Sequence, residues 1–152
     1  MKKLFFLLPL IVLISCTNSS VYSEMNKDFE NNRWLKQDIK TFDFEVDEPT
    51  DSAKIAAKFS HIYEPGYNNI PLEVTIKNPD GKEETFTANL QLKDAEGKEV
   101  TDCLGDICDL EQTIKDGYSL KKGKYIITLA NNVQTPYLPN VIGIGINIES
   151  KK

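Results

Sequence analysis

The sequence predicts an all-β protein, an antiparallel β-sandwich of about seven or eight strands behind an irregular N-terminal segment. Three observations carry this reading. Apolar residues recur at every second position in several separate runs, turn signals punctuate the runs every roughly 8–15 residues, and no stretch of any length has a helical period.

The runs follow one another along the chain. Phe42, Phe44 and Val46 alternate with Asp43, Glu45 and Asp47, and Ile55, Ala57 and Phe59 with Lys54 and Lys58. Leu72, Val74 and Ile76 alternate with Glu73, Thr75 and Lys77, and Phe86, Ala88, Leu90 and Leu92 with Thr85, Thr87, Asn89 and Gln91. Side chains of a strand point alternately to its two faces, so each run has one buried and one wet face. Asn78-Pro79-Asp80-Gly81 is a strong turn that joins two of these runs as a hairpin, and Asp94-Ala95-Glu96-Gly97 is another. Lys121-Lys122-Gly123 precedes Lys124 to Ala130, in which Tyr125, Ile127 and Leu129 share a face. In the last run, Val141 to Ile148, four isoleucines share a face. Gly143 and Gly145 fall on the other, where a backbone or a bulky ring can approach closely. Residues 21–40 read as irregular or weakly helical, with Phe29, Trp34, Leu35 and Ile39 as apolar points.

The N-terminus has a different logic. Lys2 and Lys3 precede an apolar run from Leu4 to Ile14, broken only by Pro9. A spanning helix needs about 20 apolar residues; this run has the length of a signal-peptide core. It ends in Leu13-Ile14-Ser15-Cys16, which resembles a lipobox. A small residue before the cut lets a peptidase approach the backbone, and the thiol after it receives the diacylglycerol. Lipidation is therefore expected on Cys16. The organisation that follows is a signal peptide over 1–15, then anchor, tether and irregular segment over 16–40, then the sandwich over 41–150. Thr17 to Ser20 is a short polar tether, which holds the domain close to the lipid surface.

Charge excludes some classes. The precursor carries −5; removing Lys2 and Lys3 leaves 16 basic side chains against 23 acidic ones, about −7. That excludes nucleic acid as a partner, since its binders present a basic stripe, and disfavours electrostatic docking on anionic lipid. Cys103 and Cys108, in Cys-Leu-Gly-Asp-Ile-Cys, are a candidate disulfide outside the cytoplasm. Free thiols are the alternative. A metal site is a remoter one, because zinc wants four ligands and the single histidine, His61, is far off in sequence.

No catalytic constellation stands out, and no metal or other cofactor is expected. His61 has the chemistry of a general base, but its register with Ile55, Ala57 and Phe59 makes it a core-edge residue. Carboxylate pairs abound among 23 acids and carry no information by count. The segment Tyr63 to Pro71 combines aromatics, amides and stiffening prolines. Tyr63, Tyr67, Asn68 and Asn69 form a candidate contact loop, against the plainer reading of a crossover whose tyrosines pack on the core edge.

The sequence also resembles a known family. Val21-Tyr22, Phe29 to Trp34, Phe42 to Phe44, Tyr63, Tyr67 to Leu72, Leu104 to Ile107, Gly123 to Tyr125 and Leu138 to Ile146 follow, in that order and spacing behind a lipobox, the pattern of the GldH gliding motility lipoproteins of the Bacteroidetes. The chain departs from that pattern at Cys103/Cys108 and at Ala56-Ala57. The resemblance implies an envelope lipoprotein that serves the gliding machinery and the linked type IX secretion apparatus, without known enzymatic activity. It also implies membrane attachment through lipid and partners among envelope proteins. Lipoproteins sent to the cell surface of these bacteria tend to carry acids just after the lipidated cysteine. Thr17 to Tyr22 is uncharged, so the expected location is the outer membrane, facing the periplasm. The competing reading is a glycan- or ligand-binding sandwich. An unrecognised hydrolase is a distant third.

Overall fold

The computed structural model describes residues 19–151; the signal peptide, the lipobox and Cys16 lie outside the described residues. Eight strands of seven residues or more build two antiparallel sheets. They are β1 (Ser19–Asn26), β3 (Lys40–Val46), β4 (Thr50–Ile62), β5 (Asn69–Lys77), β6 (Glu83–Gln91), β8 (Ile107–Leu120), β9 (Gly123–Asn131) and β11 (Val141–Ser150). Three short strands complete the set: β2 (Trp34–Leu35), β7 (Asp102–Leu104) and β10 (Tyr137–Leu138). One sheet has the order β1-β11-β4-β8-β7, the other β3-β9-β5-β6, and β2 pairs with β10 as a separate ribbon.

The period-two runs supply the facing layers. Phe42 and Val46 of β3, Leu72 and Ile76 of β5, and Ile127 and Leu129 of β9 meet Ile55 and Phe59 of β4 and Ile144, Ile146 and Ile148 of β11 in one buried core. Both seams of the sandwich are closed by side chains. At one, Tyr22 of β1 stacks on Phe44 at 4.7 Å, and Phe44 in turn on Tyr125 at 5.5 Å. At the other, the Gln112 amide of β8 acts as a surrogate strand for the edge of β6. Its nitrogen donates to the Asn89 carbonyl at 2.9 Å, and its oxygen accepts from the Gln91 N–H at 2.9 Å.

Residues 21–40 depart from the sequence expectation. Far from being irregular throughout, they contribute most of β1, an edge strand paired with β11, and only a single 3-10 turn at Glu30–Asn32. The tether expected over Thr17 to Ser20 already enters this strand at Ser19. The alternation is hidden in β1 because its register shifts between Ser20 and Tyr22.

Gly143 and Gly145 permit this pairing. A Cβ on Gly145 would stand 2.2 Å from the Glu24 carbonyl oxygen and 2.9 Å from the Met25 Cα, so only glycine lets β1 approach.

The register gives the sandwich two distinct ends. Ser19, Val46, Thr50, Lys77, Leu120, Gly123 and Ser150 collect at one, the N-terminal pole. Asn26, Ile62, Asn69, Leu104 to Ile107 and Val141 collect at the other, the distal pole. At about 3.3 Å per residue, the ten residues of β11 separate the poles by roughly 30 Å.

Candidate functional site

Among the described residues six large apolar side chains are exposed: Leu35, Ile39, Tyr63, Val100, Leu104 and Ile107. All six lie at the distal pole. Isolated exposed hydrophobics are ordinary on a protein surface, but their collection at one end is not.

The most prominent pair sits on the β7–β8 hairpin. Leu104 faces Ile107 across a two-residue turn that begins with Gly105 at φ +63°, a conformation glycine adopts without strain. Leu104 is 90 % exposed and Ile107 39 %. One step back Cys103 faces Cys108, their sulfurs joined at 2.02 Å, and one further step back Asp102 faces Asp109. Alternation turns Leu104, Ile107 and both aspartates to the outer face of the sheet and the sulfurs to the inner one, where Cys108 is fully buried. Beside Ile107 the outer face is hollowed into an open groove of about 730 Å³ with Met25 and Ile142 in its lining. Lys27 and Lys58 border it on the β1–β4 side, and Asp102, Asp109 and Glu111 on the β7–β8 side.

The Tyr63–Pro71 loop is fastened to this hairpin and to the turn before β11. The Tyr63 N–H donates to the Asp106 carbonyl at 2.8 Å, and the Ile62 N–H to that of Asn140 at 2.9 Å. The Asn140 amide donates to the Pro65 carbonyl at 3.2 Å. Within the loop the four candidate residues have separate tasks. Tyr63 is half exposed at the surface. Tyr67 packs against the core and donates its hydroxyl to the Pro139 carbonyl at 2.9 Å; burial pushes its pKa up. The Asn68 carbonyl accepts from the N–H groups of Leu92 and Lys93, and Asn69 opens β5 opposite Gln91. Tyr63 is thus the loop's outward aromatic, and it joins Leu104 and Ile107. That grouping was missed from the sequence. Its available signal was Cys-Leu-Gly-Asp-Ile-Cys, where a two-residue turn sets leucine and isoleucine side by side.

Trp34 is the plug of this pole. It is fully buried, donates its indole N–H to the Asp38 carbonyl at 2.7 Å and meets the Phe29 ring edge-on at 6.0 Å. The Asn131 amide binds the carbonyls of both Trp34 and Leu35. Lys40 closes the cap, lying 4.4 Å from the Phe29 ring centre and 2.8 Å from Asp38. His61 is also internal, stacked on Phe59 at 5.6 Å with Nδ1 2.8 Å from the Ile62 carbonyl. Its Nε2 has no hydrogen-bond partner, and the nearest carboxylate oxygen, on Glu99, is 4.0 Å away. Among the described residues no group of three or more His, Cys, Asp or Glu side chains is arranged to hold a metal ion.

A lipobox-like sequence ahead of an antiparallel sandwich defines the class, an envelope-type lipoprotein. The chain belongs to the GldH lipoprotein family, whose profile matches residues 20–148. It is similar to the gliding motility lipoprotein GldH of Flavobacterium johnsoniae, 25 % identical over 152 residues, covering 95 % of this chain and 94 % of that one. Two solved structures overlap it at lower similarity. One is the complex of Aeromonas sobria serine protease with its chaperone ORF2, at 9 % identity and TM-score 0.38, over 90 % of this chain and 27 % of that one. The other is dimeric latent PorU of Porphyromonas gingivalis, at 11 % identity and TM-score 0.39, over 88 % and 13 %. At those scores neither overlap carries an argument.

Proposed function

We propose that this lipoprotein is a non-enzymatic accessory component of an envelope assembly, linked to gliding motility and to type IX secretion, and that it works by contact through its distal pole. The observation that carries the reading is that, among the described residues, every exposed large apolar side chain collects at the pole away from Ser19. Membership in the GldH family and the name of the Flavobacterium relative support the link to gliding.

The same reading takes residues 1–15 as a signal peptide and Cys16 as the lipid carrier. Cys16 precedes Ser19 by three residues, at most about 10 Å of extended chain. The lipid therefore tethers the N-terminal pole and leaves the distal pole roughly 30 Å out. Each buried methylene contributes about 0.8 kcal/mol, and two or more acyl chains make the attachment stable. The uncharged stretch Thr17 to Tyr22 supports an outer-membrane protein that faces the periplasm. A sugar-binding platform finds little support, because Trp34 is sealed in the core and Tyr63 is the one exposed aromatic among the described residues.

The test is deletion of the gene in the native host, followed by complementation. Spreading and secretion of type IX cargo should fail together, return with the wild-type chain and stay lost with Cys16→Ala. Normal secretion in the deletion strain contradicts the link. External protease on intact cells reports the side of the membrane: degradation without permeabilisation contradicts the periplasmic orientation.

A further inference from the structure

We propose that the β7–β8 hairpin tip inserts Leu104 and Ile107 into an apolar socket on an envelope protein whose rim carries lysine or arginine. The proposal rests on the contact reading above and adds the chemistry of the partner.

The tip is built to hold one shape. The Cys103–Cys108 bond ties the strands one residue behind the apolar pair, Gly105 supplies the tight turn, and the Tyr63 N–H fixes the Asp106 carbonyl from outside. A side chain offered on a rigid scaffold loses little conformational freedom on binding. Leu104 is nevertheless the most exposed large apolar side chain of the described residues. Tyr63, the neighbouring exposed aromatic, widens the apolar surface.

The chain segment that carries this pair is of one sign. From Glu99 to Ile114 there are five acids (Glu99, Asp102, Asp106, Asp109 and Glu111) and no lysine or arginine; Glu64 joins them from the adjoining loop. Some carboxylates elsewhere are ion-paired, as in Asp38 with Lys40, Glu84 with Lys115 and Asp116 with Lys151, while others, such as Glu45, Asp47, Glu48 and Asp51 at the N-terminal pole, are not paired among the described residues. Asp102, Asp106, Asp109 and Glu64 have no ion-pair partner among the described residues. Lys58 is the cross-strand neighbour of Glu111, and Lys27 borders the groove from the end of β1, so the acids left without a lysine beside them are those of the tip itself, Asp102, Asp106 and Asp109.

Charge decides between occupants. A second copy would bring the same acidic segment against this one, in a chain of net charge −5. An anionic lipid surface is repelled for the same reason. A protein socket with a basic rim is attracted over the full segment, which steers the encounter and fixes its register.

The experiment uses the full-length lipoprotein in native membranes, with photo-reactive benzoylphenylalanine placed singly at Leu104, Ile39 or Tyr63 of the distal pole, and separately at Lys122 of the N-terminal pole. The expected result is one discrete protein adduct from position 104 and none from 122. Its yield should fall at least tenfold when Asp102→Lys, Asp106→Lys and Asp109→Lys are combined, and the crosslinked peptide should contain lysine or arginine. Thermal unfolding of the charge-reversed chain checks that it folds. If it does not, Asp106→Lys alone, at the exposed turn, should still lower the yield several-fold. A yield indifferent to charge reversal, or an adduct with lipid or with a second copy, overturns the proposal. Adducts from position 39 or 63 but not 104 overturn it while leaving the contact reading intact. No adduct from any of the three overturns both.

Discussion

Replacing Gly145 with alanine should loosen β1 from the sandwich. The added methyl would sit 2.2 Å from the Glu24 carbonyl oxygen, 2.9 Å from the Met25 Cα and 3.1 Å from the Glu24 carbonyl carbon, all backbone atoms of the neighbouring strand. An ordinary contact needs about 3.4 Å or more, so β1 must retreat by more than 1 Å, and its ladder with β11 cannot survive that intact. Overpacking costs about 1–3 kcal/mol, and with no flexible group to yield the upper end applies. Loss of the Tyr22–Phe44 stack adds to it. A domain of this size loses roughly 3–5 °C of Tm per kcal/mol, so Tm should drop by about 10 °C. Gly143→Ala is the internal control. Its methyl would meet first the Sδ and Cγ of Met25, at 2.9 and 3.2 Å, and that side chain can rotate away. Thermal unfolding of the mature chain in detergent, with amide exchange over Val21–Asn26, measures both. Equal small shifts for the two variants would refute the close-approach argument.

Three further perturbations follow from the geometry. With Cys103 and Cys108 oxidised in the mature protein, reductant should lower stability by about 2 kcal/mol, the chain-entropy value for so short a loop. Intact mass after alkylation without reductant checks the premise, since two added groups would mean free thiols. Tyr67 is held neutral by burial, so its folded pKa lies above the unfolded value of about 10. Its contribution is fully present below pH 10 and is lost as pH rises beyond that. Tyr67→Phe should flatten this alkaline fall while costing about 1 kcal/mol at pH 7 for the lost bond to Pro139, both read from denaturant midpoints. Trp34→Ala should cost about 3–5 kcal/mol by emptying the distal plug, and an unchanged midpoint would refute that role.

The strands most legible in the sequence were those with one fully buried face. β3, β5 and β9 show it plainly, because Phe42, Leu72 and Ile127 each point into the core with their i+2 neighbours. β8 escaped notice. Its inward positions Cys108, Leu110, Gln112 and Ile114 mix polar with apolar, since Gln112 is spent on the edge of β6. Its pairing with β4 is also interrupted by register shifts near Ala53 and Ile55. β1 was hidden by its early bulge and its serines. The close backbone approach at Gly145 was readable, because glycines alternating with isoleucines leave a smooth face. The proposed contact surface was readable only in part. The Tyr63–Pro71 loop drew attention through its aromatics, yet Tyr67 is turned inward by a hydrogen bond to a residue 72 positions away. No local pattern encodes a partner that distant.

On the proposed reading the domain is held at one pole and works at the other, so it should respond differently to changes at its two ends. The most direct measurement compares native assemblies from a strain lacking the gene and carrying one of two full-length variants. One combines Ile39→Ser, Tyr63→Ser and Leu104→Ser at the distal pole. The other combines Lys121→Ser and Lys122→Ser, exposed at the N-terminal pole. Membranes are solubilised gently and resolved by native electrophoresis, with total lipoprotein as the loading reference. The distal variant should migrate as a free chain at wild-type abundance, and the N-terminal variant should stay in the large assembly. A distal variant that remains in the assembly would contradict contact through that pole.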